Sequence, residues 1–216
     1  MKTMGNNDFS ESTKLTKKHS KQYRGIPDDE FYRGKVPMTK EEVRGVTINK
    51  LRLQGGETLL DIGAGSGSIS IEMAIALGKT GQVYAVEVNP DGVELIEKNR
   101  EKFAVNNLAI HQGKAPEILK DLPVMDGVVI GGTKGAMKEI FDVLEEKLRP
   151  GGRLVINVLT LENLSLAHEM LKAYDYQEIE VIQIAVSKGH SVGNLTMMKA
   201  ENPIFILSAT KKGACQ

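Results

Sequence analysis

The prediction of the fold rests mainly on one segment of the chain, Leu59-Leu60-Asp61-Ile62-Gly63-Ala64-Gly65-Ser66-Gly67-Ser68-Ile69-Ser70. It reads as a short apolar strand, a turn with three alternating glycines, and the start of a helix. The glycines at 63, 65 and 67 allow the backbone to turn tightly and to approach a ligand closely. A dinucleotide-binding fingerprint would need glycine or alanine at position 68, where this chain has Ser68. The spacing therefore points away from NAD.

Short apolar runs alternate with amphipathic stretches on both sides of this turn, which predicts strand and helix units around a parallel sheet. We expect an α/β fold with a Rossmann-like, seven-stranded, mostly parallel sheet. Its last strand is predicted to be antiparallel, with helices on both faces. The predicted strands are Thr58–Ile62, Gln82–Val88, Leu108–Gln112, Met125–Ile130, Arg153–Leu159, Glu178–Ile184 and Pro203–Thr210.

Start and stop signals locate the helices. Thr39 followed by Glu42 has the form of a capping box, and Asn89 with Pro90 suits an N-cap and a first turn. The long segment Ala185–Asn202 lacks helical periodicity, and we interpret it as an extended hairpin excursion between the last two strands. The predicted helices are residues 39–53, residues 89–103, the segment from Gly135 to a stop at residues 149–152, and Leu161–Tyr174.

The composition excludes several classes of function. The chain has 216 residues, 41% hydrophobic and 26% charged, and its 28 basic side chains balance 28 acidic ones. No global positive charge therefore favours nucleic acid or a membrane surface. Because the sequence shows neither a membrane span of roughly 18 apolar residues nor a signal peptide, we expect a cytoplasmic protein. The lone Cys215 and four scattered histidines predict neither a disulfide nor a metal site.

Residues 1–25 differ from the rest of the chain. They are polar and carry six basic against two acidic side chains, a net charge of +4, which leaves about −4 for the remainder. We predict a basic, mobile N-terminal extension over residues 1–25 and a single domain over residues 26–216.

Glu87 ends the apolar strand that follows the glycine turn. An acidic residue at this strand tip can accept hydrogen bonds from both ribose hydroxyls of a nucleoside bound across the strand ends. It could equally be a charge beside the helix that begins at Pro90, where it suits the helix dipole. Together with the glycine turn, the ligand-binding interpretation is favoured.

With residues 61–67, Glu87 and residues 148–153 in this order, the chain resembles class I S-adenosylmethionine-dependent methyltransferases over about residues 39–210. The flanking motifs resemble more specifically the family of decarboxylating cobalt-precorrin-6B (carbon-15) methyltransferases of cobalamin biosynthesis. These motifs are Ile26-Pro27-Asp28-Asp29-Glu30-Phe31, Met38-Thr39-Lys40-Glu41-Glu42-Val43-Arg44, Gly113-Lys114-Ala115-Pro116-Glu117, Ile130-Gly131-Gly132 and Thr196-Met197-Met198 with Asn202-Pro203.

The resemblance implies S-adenosyl-L-methionine as cofactor and S-adenosyl-L-homocysteine as product. It implies that Ala115 binds adenine through its backbone, that Glu87 binds the ribose, and that Asp61 orients the glycine turn. Lys114 departs from the family, which often has an acidic residue there, so any contact of that carboxylate is lost. The residues implied to contact the methionine part are Thr39, Gly63, Ala64, Gly65, Ser66 and Gly67.

The implied substrate is a reduced tetrapyrrole that bears many carboxylates, and its conjugated ring would drive the loss of carbon dioxide from an acetate arm. No catalytic residue can be identified from the sequence. His190 is a candidate proton shuttle by location, and a simply exposed histidine is the alternative. The resemblance also implies a homotetramer. Candidate cations for the carboxylates, each with solvated surface charge as its alternative, are Arg33, Lys35, Arg44, Lys134 and Lys188.

Two other interpretations stay open. A tRNA base methyltransferase would need a basic surface with aromatic side chains, yet aromatic residues make up only 5% of the chain and tryptophan is absent. A non-catalytic module could retain the fold. Such a module would fail to bind S-adenosylmethionine. The intact glycine turn and Glu87 argue against such a failure.

Overall fold

A central sheet organises the protein, and helices connect its strands along the chain. The computed structural model describes residues 25–213, so most of the predicted N-terminal extension and Cys215 lie outside it. The helices are α1 (Glu41–Leu51), α2 (Ser68–Leu77), α3 (Pro90–Lys102), α4 (Met137–Lys147) and α5 (Leu161–Ala173). The strands are β1 (Thr58–Ile62), β2 (Gln82–Glu87), β3 (Leu108–Gln112), β4 (Met125–Ile130), β5 (Leu148–Val158), β6 (Gln177–Ile184), β7 (Ser187–Val192), β8 (Leu195–Ala200) and β9 (Ile204–Thr210).

The sheet has seven strands in the order β3-β2-β1-β4-β5-β9-β6. Pairs from β3 through β5 are parallel, whereas β9 lies antiparallel to both β5 and β6. The predicted fold class is therefore confirmed. The chain moves outward on one side from β1 to β2 and β3, and on the other side through β4. This reversal of direction creates a crevice at the carboxyl ends of β1 and β4.

The start of one strand differs from its predicted boundary by several residues. Strand β5 begins at Leu148, five residues before the predicted start, because Leu148 pairs with Met125 across a register shift. The excursion predicted for residues 185–202 is confirmed as a hairpin, in which β7 and β8 form their own two-stranded sheet. All of the residues in these two strands are exposed.

The core lies on both faces of the sheet, since successive strand residues point to opposite sides. Leu60 and Ile62 pack with α4 and α5, whereas Leu59 packs with α1 and α2. Two buried cations hold helix ends against the sheet. Arg153 donates to the carbonyl of Lys50 at the end of α1. Lys211 donates to three carbonyls at the end of α4, where a positive charge suits the helix dipole.

None of the helices described between residues 25 and 213 is both long enough and apolar enough to cross a membrane.

Candidate active site

A cavity of about 480 Å³ opens along the carboxyl ends of the parallel strands. One half, which we call the β1 half, is lined by the ends of β1, β2 and β3, including residues 63–65, Glu87 and residues 113–115. The other, the β5 half, is lined by the ends of β4, β5 and β6 and the start of β9, including Lys134 and Asn157. The cavity thus spans the point where the strand order reverses, which is where open α/β sheets bind ligands.

Two glycines of the turn are required by contacts within the protein. Gly63 and Gly65 have φ values of +73° and +58°, which favour glycine. A Cβ on Gly63 would lie 2.8 Å from backbone atoms of Gly132, and a Cβ on Gly65 would lie 2.8 Å from the carbonyl oxygen of Pro37. From the sequence, these glycines were attributed to the tight turn and to close approach of a ligand. The structure adds close backbone packing as a second and sufficient reason.

The predicted cofactor-binding turn divides into two parts. Gly63, Ala64 and Gly65 line the cavity. Ser66 and Gly67 are buried and do not belong to the lining. Ser66 and Gly67 therefore shape the turn from its buried side, whereas the first three residues face the cavity.

Glu87 organises the turn through both oxygens of a carboxylate that is only 7% exposed. Its Oε2 accepts a hydrogen bond from the Gly65 N–H at 2.8 Å, and its Oε1 accepts one from the Asn89 N–H at 2.8 Å. Each carboxylate oxygen has a further lone pair. The side chain can therefore hold the turn, support the start of α3 and still accept hydrogen bonds from a ligand in the cavity.

Asp61 places a buried carboxylate beside the glycine turn. Its Oδ2 accepts a hydrogen bond from the Ser70 hydroxyl at 2.5 Å, whereas its Oδ1 is buried without a partner among residues 25–213. Burial raises the pKa of Asp61 to about 6, the neighbouring charge of Glu87 adds to the rise, and the Ser70 bond opposes it. Because a buried acceptor without a partner is costly, this oxygen suits a cationic group of a ligand.

A segment before α1, residues 26–40, forms part of the wall of the β1 half; we call it the strap. Ile26 and Phe31 anchor the strap in the core, and its residues 36–40 line the cavity. The Pro37 carbonyl lies against the glycine turn, as described above. The strap therefore closes one side of the site.

Arg44 holds the strap and is completely buried. Its Nη1 donates to Asp28 Oδ1 at 2.7 Å and to the Thr39 carbonyl at 2.6 Å, and its Nε donates to Glu72 Oε1 at 2.8 Å. Its Nη2 donates to a second strap carbonyl, that of Ile26. The prediction that Arg44 binds a substrate carboxylate is wrong, because these contacts enclose the guanidinium and use four of its five N–H donors.

The start of α1 also differs from the prediction. Its N-cap is Lys40, which makes no side-chain cap, and the capping box of Thr39 and Glu42 does not form. Asp28 supplies the cap instead, since its Oδ1 accepts a hydrogen bond from the Glu41 N–H at 2.9 Å. The capping prediction was wrong because the strap brings a distant carboxylate to this helix end. Thr39 lines the cavity.

Asn99, which the sequence analysis did not single out, ties the strap to the glycine turn. Its Oδ1 accepts from the Tyr32 N–H at 2.8 Å, and its Nδ2 donates to the Tyr32 carbonyl at 3.2 Å and to the Ser66 carbonyl at 3.0 Å. A signal for it exists in the sequence. Asn99 interrupts the apolar face that Ile96 and Phe103 define on α3, and a polar residue in such a position needs buried partners.

The β5 half combines apolar walls with a few polar groups, as small-molecule sites do. Ile184 and Ile204 supply apolar surface, and Lys134 lies in the loop after β4. Asn157, only 9% exposed, projects from the end of β5. Asn157 was not predicted from the sequence, although one amide within the run Leu154-Val155-Ile156-Asn157-Val158 is a recognisable irregularity.

The remaining predicted residues fall into three groups. Lys114, Ala115 and Lys134 line the cavity. Lys188 forms a 2.8 Å ion pair with Glu42, and its hydrogen bond to that carboxylate raises the pKa of the lysine. Its charge is thus matched within the protein. Exposed and outside the cavity lining are Arg33, Lys35 and His190.

Solved structures share this fold. The crystal structure of precorrin-6y C5,15-methyltransferase from Geobacter metallireducens has a TM-score of 0.82 at 41% identity, covering 87% of this chain and 97% of that one. At 20% identity, an S-adenosylmethionine-dependent O-methyltransferase from Thermotoga maritima has a TM-score of 0.69, with 83% and 68% covered. The second likeness concerns the fold alone. Fold and site together place the protein in the class I S-adenosylmethionine-dependent methyltransferases.

Within that class, residues 30–211 match the family model described as "Precorrin methyltransferase domain". A relative from Sulfolobus acidocaldarius is 43% identical over 190 residues, which are 87% of this chain and 98% of the relative. It is named a probable cobalt-precorrin-6B C(15)-methyltransferase (decarboxylating). One from Salmonella typhimurium with the corresponding name is 37% identical over 188 residues, 87% and 96% of the two chains. The chain belongs to the precorrin methyltransferase domain family.

Proposed function

We propose that this protein transfers a methyl group from S-adenosylmethionine to carbon 15 of cobalt-precorrin-6B and removes carbon dioxide from an acetate arm, a step of cobalamin biosynthesis. The observation that carries the proposal is the 43% identity to a relative of that name, with 98% of the relative covered. The two-part cavity supports it, because one continuous space offers room for a cofactor and for an acceptor.

The β1 half fits the cofactor. Asp61 Oδ1, buried without a partner, suits the ammonium of the methionine part, and Glu87 retains lone pairs for the ribose hydroxyls. Ala115 leaves room for adenine because its side chain is small. We therefore assign cofactor contact to the lining residues Thr39, Gly63, Ala64, Gly65, Glu87 and Ala115, with Ser66 and Gly67 shaping the turn.

The β5 half suits the acceptor. A tetrapyrrole has a broad apolar ring with carboxylate arms, and the β5 half offers Ile184 and Ile204 as apolar surface. Lys134 there, and Lys114 and Lys40 elsewhere in the lining, can pair with the arms. Neither an RNA substrate nor a non-catalytic role is favoured by a specific observation.

The chain contributes to the reaction mainly by holding donor and acceptor in contact. S-adenosylmethionine supplies an electrophilic methyl group, and an in-line transfer gains most from near-attack geometry. The strap and the glycine turn fix one side of the cavity, and the ends of β4 and β5 fix the other. The acceptor is a nucleophilic ring carbon, so no side chain has to activate it.

We also propose that the protein is a cytoplasmic homotetramer and that residues from 26 onward form one domain. The β7–β8 hairpin supports self-association. Cross-strand register places Val192, Leu195 and Met197 on one face of it, and these side chains are 50–73% exposed. Lys188, His190 and Lys199 lie on the same face farther from the turn, so the apolar part is the tip of the hairpin. An exposed apolar tip of this kind suits a second copy of the chain.

Mass spectrometry tests the proposed reaction. Purified protein incubated with S-adenosylmethionine and cobalt-precorrin-6B should yield a product that has gained one methyl group and lost one carbon dioxide. Incubation without S-adenosylmethionine is the control for spontaneous loss of carbon dioxide. An unchanged substrate mass, with cofactor binding confirmed by calorimetry, would overturn the proposed substrate while leaving the methyl donor in place.

A further inference from the structure

Asn157 occupies a defined place relative to the glycine turn. Sheet register aligns Ile62 of β1 with Ile130 of β4, and Ile130 with Ile156 of β5. Asn157 and Gly63 therefore each follow a residue of this aligned row, Asn157 after Ile156 and Gly63 after Ile62. With neighbouring strands about 4.8 Å apart, the two residues lie roughly 10 Å from each other across the floor of the cavity. An acceptor resting on the end of β4 would lie between them.

Thr47 of α1 holds the amide of Asn157. The Thr47 Oγ1 lies 2.8 Å from the Val43 carbonyl, 3.0 Å from Asn157 Nδ2 and 3.1 Å from Asn157 Oδ1. A hydroxyl has one proton, and the shortest contact, to the carbonyl four residues earlier in the helix, uses it. Thr47 Oγ1 then accepts a hydrogen bond from Asn157 Nδ2.

This assignment leaves two groups of Asn157 unused, namely Oδ1 and the second N–H of Nδ2. Both belong to a side chain that is only 9% exposed and that lines the β5 half. Buried polar groups of this kind cost free energy unless a partner meets them. Thr47 is completely buried, so the orientation of the amide is fixed before any ligand binds.

We infer, resting on the proposed function, that Asn157 is a specificity-determining residue that donates its free N–H to a carboxylate arm of the acceptor. Thr47 is the positioning residue that orients it. The neutral amide recognises the arm by direction, whereas the lysines of the lining recognise it by charge. Asn157 thereby fixes the rotation of the ring over the end of β4.

Steady-state kinetics with cobalt-precorrin-6B tests the role of Asn157. Asn157→Leu keeps the volume and removes the hydrogen bond, so the KM for the acceptor should rise about tenfold. Asn157→Asp, nearly the same shape, should raise the KM further because two carboxylates then repel. The Kd for S-adenosylmethionine should stay within about twofold of wild type, since Asn157 lies outside the β1 half. Asn106→Leu, at an exposed site outside the cavity, is the matched control.

Thr47 variants separate positioning from simple stability. Thr47→Val removes the hydroxyl at constant shape and should raise the acceptor KM several-fold. Thr47→Ser keeps the hydroxyl and should therefore have an acceptor KM close to that of the wild type. If the wild-type enzyme is active and the acceptor KM is unchanged in both Asn157 variants, the role inferred for Asn157 is overturned. The proposed function would then still stand. If the wild-type enzyme leaves cobalt-precorrin-6B unchanged, the proposed function fails and this inference fails with it.

Discussion

Asp61 combines a high pKa with an unpartnered oxygen in the cavity wall. The pKa of about 6 in the folded protein, against 3.8 for an ordinary aspartate, means that the folded state holds this proton more tightly than the unfolded chain. The resulting stabilisation is complete below about pH 4 and is lost as pH rises through about 6. Cofactor-free protein above that pH keeps a buried charge that a bound cation would compensate.

We therefore expect opposite effects of Asp61→Asn on stability and on binding. At pH 8, urea denaturation of the cofactor-free variant should show a free energy of unfolding about 3 kcal/mol above wild type. Calorimetry should show affinity for S-adenosylmethionine reduced about tenfold or more, because a charged hydrogen bond is lost. Both differences should shrink at pH 4.5. Equal affinities at pH 8 would contradict a contact between Asp61 and the cofactor.

Glu87 allows a second test at a single residue. Glu87→Gln retains the size of the side chain but replaces one acceptor oxygen by a donor, so it cannot accept from both Gly65 and Asn89. Affinity for S-adenosylmethionine should fall by about 1.5–3 kcal/mol, measured by titration calorimetry. Glu94 forms an exposed ion pair with Lys98 on α3, so the control variant Glu94→Gln should leave the affinity for S-adenosylmethionine unchanged. A wild-type Kd for Glu87→Gln would reduce Glu87 to a charge at the start of α3.

Alanine substitutions at two glycines should distinguish an effect on stability from an effect on ligand binding. Gly65→Ala forces a Cβ to within 2.8 Å of the Pro37 carbonyl at a positive φ, so the melting temperature should fall by several degrees. A Cβ on Gly132 would meet no atom of residues 25–213 within 4 Å, and Gly132 lines the cavity. Gly132→Ala should therefore weaken ligand binding with little change in melting temperature. Differential scanning calorimetry and binding titrations on both variants check this contrast.

Residue types and spacing predicted the centre of the site but not its supports. The glycine turn and Glu87 were recognisable because they stand at the carboxyl ends of two consecutive strands, β1 and β2. Arg44 was misassigned because its partners, Asp28 and Glu72, come together only in the folded protein. Asn157 was missed for the same reason, since Thr47 meets it from 110 positions away.

Among the elements, the strap depends on the buried ion pairs of Arg44. Arg44→Met would leave Glu72 charged and unpaired in the core, so the free energy of unfolding should fall by about 3–5 kcal/mol. Affinity for S-adenosylmethionine should fall as well, since residues 36–40 lose their anchor. Arg52→Met is the matched control, because Arg52 pairs with Glu178 at an exposed site and should cost less than about 1 kcal/mol. Urea denaturation distinguishes the two, and equal losses would contradict the role of burial.

Element types were predictable where local signals agreed with tertiary structure. Asn89 caps α3 through the Asp91 N–H, with Pro90 in the first turn, as the sequence predicted. The cap of α1 was not predictable, since it depends on a carboxylate from the strap. Strand β5 began early because pairing with β4 outweighed the turn signal of residues 149–152. Local patterns thus failed where a neighbouring element supplied the missing hydrogen bonds.

At the scale of the whole molecule, the exposed hairpin predicts assembly. Double substitution Leu195→Lys and Met197→Lys places charges on the apolar tip of the hairpin, so sedimentation should show a species smaller than the proposed tetramer. Folding should be unaffected, because both side chains are more than half exposed. Thr196→Lys, on the opposite face of the hairpin, should leave the assembly intact. A monomeric wild-type protein would contradict the proposed association.

The position of β9 has a consequence for synthesis on the ribosome. This strand is made after β5, β6 and the hairpin, yet it lies between β5 and β6 in the sheet. Until it emerges, β5 presents an open edge with the apolar residues Leu154, Val155 and Ile156, and β6 has no strand to pair with. Such an edge invites pairing between nascent chains. The sheet can close only once β9 has left the exit tunnel, so the edge of β5 stays open to such pairing throughout that interval.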